Sequence, residues 1–170
     1  MEITSMQNFL NYYEKTRQQT NKVIMAIPKD KLDWSYKQGK FTFGDLIRHI
    51  AGIERYVFAE VVTGSKPKYK GCGKEIVDGY DAVLEYFHEM HKESIELFKT
   101  VADESLKQKI KSLDGKEIEL GNFLRALIVH EVHHRGALCI YLNLVGVESP
   151  PVIGLKEEQV IEISNNQNRI

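Results

Sequence analysis

Apolar residues recur along this chain at spacings of three and four, and four segments carry that rhythm far enough to predict amphipathic helices. The first opens near Ser5 and sets Met6, Phe9, Leu10 and Tyr13, then Thr20, Ile24 and Ile27, on one face before Pro28 stops it. A polar connection follows, and its Trp34 and Tyr36 are expected to fold back over the helices. Thr42 is placed to cap the second helix, with Asp45 in the reciprocal position of a capping box. That helix is expected to run to about Thr63, with Leu46, Ile50, Ile53 and Val57 inward and Gly64 as its stop.

Residues 65–79 form the most loop-like stretch, holding Pro67 and the run Gly71-Cys72-Gly73. Asp78 is expected to cap helix three, whose inner stripe reads Tyr80, Leu84, Phe87, His91, Ile95 and Phe98. Over residues 109–120 the rhythm changes, with apolar residues alternating around Asp114-Gly115, which predicts a short β-hairpin. Helix four begins near Gly121 and Asn122 and continues to about Val145, where Gly146 caps it and Pro150-Pro151 forbids continuation. Residues 150–170 make a polar C-terminal tail with one short helix. No repeat or linker divides the sequence, so residues 1–170 are read as a single domain. Its fold class is all-α: an up-and-down four-helix bundle with a short β-hairpin before the last core helix.

Charge and cysteine content narrow the function. The 170 residues carry 23 Lys and Arg against 24 Asp and Glu, a formal net charge of −1. That balance argues against general nucleic-acid or anionic-membrane binding, both of which need a basic face. Cys72 and Cys139 make no disulfide framework and no CxxC pair, as expected of a protein in a reducing cytosol. The opening residues show no basic stretch followed by an apolar one, and no run approaches the roughly 20 residues of a membrane span. A cytoplasmic location is expected.

The six histidines carry the candidate chemistry. At roughly 100° per residue, His130 and His134 share one side of helix four with Phe123, Leu127, Ala137 and Tyr141, which puts the pair at the middle of its buried face. An i, i+4 pair of imidazoles pointing one way can chelate one divalent cation and so satisfy two rings that are costly to bury alone. His49 on helix two lies about 60° from the centre of its apolar stripe and is the candidate third ligand. Three neutral imidazoles would leave an open coordination position, as in catalytic sites, and suit Zn, Ni, Fe or Co. Satisfied core histidines are the competing reading. His133 and His88 are expected near the surface, and His91 on the inner face of helix three. Glu131 is a candidate general base or an ion-pair partner of an arginine. His130-Glu131-Val132-His133-His134 also fits H-E-x-x-H, the zinc-peptidase helix in which the glutamate is the base, although Ala137 and Ile140 break the metzincin continuation.

Taken together, residues 41–50, the Asp114-Gly115 turn, His130 through Gly136, Tyr141-Leu142 and the ending from Gly146 to Pro151 resemble the DinB/YfiT-like family of metal-binding four-helix bundles. The resemblance covers most of the chain. It implies a nickel or zinc ion held by His49, His130 and His134, and a homodimer. Some relatives are transferases that use a low-molecular-weight thiol of the bacillithiol type. Many have Gln after His-Arg-Gly, where this chain has Ala137. The expectation is therefore a metal-dependent thiol S-transferase acting on a small-molecule substrate. In it Glu131 would move a proton, and Arg135, Arg48 or Arg55 would bind an anionic cofactor. A non-enzymatic metal-binding stress-response module and a zinc peptidase are the alternatives. Neither cysteine has a visible partner for nucleophilic work.

Overall fold

Each predicted helix begins or ends where the local chemistry says it should, and the departures are instructive. The computed structural model describes residues 2–151 and 154–167, so part of the predicted tail (residues 152, 153 and 168–170) lies outside the described residues. Helix α1 spans Met6–Met25, with the Ser5 side chain accepting from Asn8 N. Trp34 folds back against the rings of Phe43 and Tyr141, as its apolar character demands. The capping box is present: Asp45 N donates to Thr42 Oγ1 at 3.0 Å, and Thr42 N donates to Asp45 Oδ2 at 2.9 Å. It opens α2, Phe43–Ile53, which continues through a π-helical turn, Glu54–Phe58, into α3, Ala59–Val62. The periodicity did not disclose that wide turn. Ile53, expected inward, is only partly buried, and Glu54 takes the inward position with no exposed surface.

Helix α4 spans Tyr80–Phe98 and is preceded by Gly79 at φ 89°, not capped by Asp78, whose carboxylate instead accepts from Gly79 N. A positive φ favours glycine there, which displaces the aspartate one residue outward. Its buried stripe is Val83, Phe87, Met90, Ser94 and Phe98, a rotation from the predicted one. The hairpin pairs β1, Lys109–Lys111, with β2, Glu117–Glu119, setting Ile110 opposite Ile118. Helix α5 runs Leu120–Leu144, and the tail adds α6, Glu157–Gln167, with its described side chains exposed.

The core has two halves that reveal the direction of every helix. One gathers the end of α1 (Val23, Ile24), the start of α2 (Phe43, Leu46, Ile47), the start of α4 (Val83, Phe87) and the end of α5 (Leu138, Leu142). The other gathers the start of α1 (Met6, Phe9), the region Val57–Ala59, the end of α4 (Phe98) and the start of α5 (Phe123, Leu124). The four-helix bundle with its hairpin is thus as expected, but its helices run up, down, down, up and do not strictly alternate. Parallel α2 and α4 require residues 63–79 to return along the bundle, a span that an extended chain at about 3.3 Å per residue covers easily. Helix α1 packs against α5 and α4, and α2 packs against the same two from the other side.

Between the two halves lies a buried ionic cluster. The Arg17 guanidinium contacts Glu54, reaches Glu131 Oε2 at 3.0 Å and donates to the Tyr13 hydroxyl at 2.9 Å. Both carboxylates are fully buried. Burial alone would lower the pKa of Arg17, but Glu131 and Glu54 carry it upward. His91 extends the cluster outward, with Nδ1 2.7 Å from Glu54 and Nε2 3.0 Å from Glu14. Removing the central cation leaves Glu131 buried and unpaired and Glu54 with His91 alone, so Arg17→Ala should cost about 3–5 kcal/mol in urea unfolding. Thr42→Ala, which removes only a cap, should cost about 1 kcal/mol. The reverse ranking would contradict a central role for the cluster.

Candidate metal centre

Helices α2 and α5 run antiparallel and in contact, which brings residue 49 of one beside residues 130 and 134 of the other. His49 Nε2 lies 3.0 Å from His130 Nε2. Ring centroids are 4.5 Å apart for His130 and His134, and 4.6 Å for His49 and His134. One nitrogen from each of the three falls within 4.8 Å of the others. All three predicted ligands are therefore brought together, from two rigid helices.

Their depth differs from expectation. The middle of the buried face of α5 is occupied by Leu124, Ile128, Glu131, Arg135, Leu138 and Leu142, while His130 and His134 lie on its rim, only partly buried. A periodicity reading places charged residues outside, and Glu131 escapes that rule because Arg17 meets it across the bundle. Glu131 consequently points into the ionic cluster. Arg135 is 7% exposed, and its Nη1 donates to Thr16 O at 3.3 Å and Gln19 Oε1 at 3.1 Å, against α1. Arg48 is fully buried and Arg55 is paired with Glu60 and Glu93. His133 is exposed with its ring 5.0 Å from that of His134. His88 is exposed, His91 belongs to the ionic cluster, and both cysteines are free and half-buried.

The electrostatics suit a cation. Burial, reinforced by the neighbouring imidazoles, pushes His130 down to about 3 and His134 down to about 4. Burial also lowers His49. Each ring is thus neutral at pH 7 with a lone pair to offer. Two facing Nε2 atoms must share one proton or one cation, and His130 Nδ1 is buried with no hydrogen-bond partner. This donor set fits a divalent transition metal held by His49, His130 and His134. Around it stand the Phe41 ring, 5.4 Å from that of His49, and the Tyr69 hydroxyl, 2.9 Å from His49 Nδ1. Sequence reasoning missed Tyr69; its one signal was an amphipathic ring set among Lys66, Pro67, Lys68 and Lys70.

The folded pKa values of His130 and His134 lie below the free-imidazole value of 6.5, so protons bind the unfolded chain preferentially between those limits. The stability of the metal-free protein should therefore hold above pH 6.5 and fall as pH drops toward 4. Urea midpoints against pH measure this. A His130→Asn/His134→Asn variant should show a shallower decline over that window, and equal slopes would refute the assignment.

The sequence pattern of the DinB family matches residues 2–166. The protein YrdA of Bacillus subtilis strain 168 is 21% identical over 157 residues, covering 91% of this chain and 92% of its own. A DinB-like protein from Bacillus cereus superposes with a TM-score of 0.72 at 19% identity, over 87% of this chain and 97% of its own. YfiT from Bacillus subtilis, described as a probable metal-dependent hydrolase with an unusual four-helix bundle topology, gives a TM-score of 0.63 at 17% identity over 84% and 89%. Among the described residues no helix is long and apolar enough to cross a membrane. A family match running through all four bundle helices, joined to the bundle fold, settles the assignment: the chain belongs to the DinB family.

Proposed function

We propose that the protein binds one divalent transition metal through His49, His130 and His134 and uses its open position to activate a small nucleophile. The observation that carries this is the convergence of three neutral imidazoles at a helix seam, with ligand nitrogens within 4.8 Å and each ring partly open to solvent. Three protein ligands leave room for a fourth, and partial exposure gives a small molecule access. A bound Zn, Ni, Fe or Co ion would lower the pKa of a thiol or water so that the anion exists at neutral pH. The favoured nucleophile is a low-molecular-weight thiol in S-transfer, with water in hydrolysis as the neighbouring case that the description of YfiT suggests.

The chain's own residues divide the remaining work. His49 comes from α2 and the other two ligands from α5, so bundle packing sets the spacing of all three. Phe41 walls one side and limits water. His133 is the exposed imidazole nearest the ligands and is placed to take up the proton a bound nucleophile releases. Glu131 and Arg135 hold α5 in its rotation and do not touch substrate. That position also weighs against a peptidase, whose glutamate must face the metal-bound water. The exposed Val129, Val132, Ile140 and Leu144 on the outer face of α5 support a homodimer as the working form. The charge balance supports a small-molecule partner over nucleic acid, and the two free cysteines support a cytoplasmic location.

Elemental analysis of untagged protein should give about one transition metal per chain and near zero for His130→Ala. Transfer of a thiol to an electrophile, or hydrolysis, should fall at least about 100-fold in the same variant. Glu131→Gln should keep the metal and most of the turnover while lowering stability, whereas a peptidase would be silenced with metal bound. A metal content near zero in the wild-type protein would overturn the proposal.

A further inference from the structure

We propose that Tyr69 is a positioning residue for His49, its hydroxyl holding the imidazole by Nδ1 so that Nε2 faces His130 and the cation. The inference rests on the metal-binding reading above. His49 Nδ1 lies 2.9 Å from the Tyr69 hydroxyl, and the opposite nitrogen, Nε2, lies 3.0 Å from His130 Nε2. With Nε2 given to a metal, Nδ1 carries the ring's proton and donates it to the phenol oxygen. That bond selects the tautomer and the ring orientation together. His130 Nδ1 has no such partner, so it contributes no equivalent restraint.

Two independent features hold Tyr69 in place. The first is the close approach of its ring to α2 at Gly52. A Cβ at that position would stand 3.0 Å from Tyr69 Cε2 and 3.3 Å from Cδ2, tighter than ordinary contact. The second is anchorage of the returning segment on both sides of Tyr69. Lys68 N donates to Tyr56 O at 2.8 Å, and Arg48 donates through Nε to Cys72 O at 2.7 Å and through Nη1 to Val77 O at 3.1 Å. Arg48 is itself fully buried and held by Asp45 Oδ1 at 2.7 Å. Asp45 belongs to the capping box of α2. A continuous set of bonds therefore runs from the N-terminus of α2, through Arg48, into the segment that presents Tyr69 to His49. In a stretch whose Lys66, Pro67, Lys68 and Lys70 are exposed, Tyr69 alone turns inward.

Titration of the full chain with Co2+ or Zn2+ against a competing chelator tests this. Tyr69→Phe should weaken metal binding about 10–100-fold and alter the visible absorption bands of the Co2+ form. The metal-free variant should keep its helical circular dichroism. Gly52→Ala, which pushes the ring away, should weaken binding in the wild-type background and add little in Tyr69→Phe, because the bond it disturbs is already gone. Wild-type affinity and an unchanged Co2+ spectrum in Tyr69→Phe would overturn the inference while uptake by the wild type and its loss in His130→Ala left the metal site standing. Failure of the wild type to take up either ion would overturn the underlying reading and this inference with it.

Discussion

Arg17 is buried in the bundle, and the rest of the fold is arranged so that it need not be alone. A guanidinium in the interior is tolerable only with carboxylates and acceptors at close range, and here they come from every side. Tyr13 lies on the same helix, Glu54 on the wide turn after α2, and Glu131 in the middle of α5. The π-helical turn begins at Glu54 itself, the residue that reaches Arg17 and His91. Wide turns inside helices commonly mark positions where a local demand outweighs regular hydrogen bonding.

The same cluster sets the rotation of α5. At about 100° per residue, a Glu131 aimed at the bundle centre leaves His130 a quarter-turn to one side, over the seam with α2. His134, one turn on, follows it. The clustering of the three histidines is thus a consequence of where the buried charge points. Had the histidines faced inward as their apolar neighbours suggest, they would be sealed off from any substrate. Their rim position combines the low polarity that keeps them neutral with an opening to solvent.

Much of this was legible in the letters, and what was not has a common cause. Helix positions, the capping box of Thr42 and Asp45, and the hairpin around Asp114-Gly115 depend on residues close in sequence, so local pattern suffices. The histidine pair is local too, and His49 betrays itself by standing just off an apolar stripe. For Glu131 the sequence leaves two readings open, and the ion pair with an arginine is the one found, but its burial was not legible, because it depends on Arg17 far earlier in the chain. Tyr69 was hidden for the same reason, since its meaning lies in His49. The order of helix directions depends on how a polar segment with little periodicity travels, and periodicity is silent about direction.

That order has a consequence for how the molecule is made. Helix α5 contributes to both halves of the core and lies beside α1, so the first and last bundle helices are neighbours. A chain emerging from the ribosome can pair α2 with α4, but the faces of α1 and α2 that meet α5 stay uncovered until the final bundle helix arrives. His49 is synthesised long before His130 and His134, and a lone imidazole holds a metal weakly. The histidine triad and the hydrophobic core are therefore completed by the same late event, the arrival of α5.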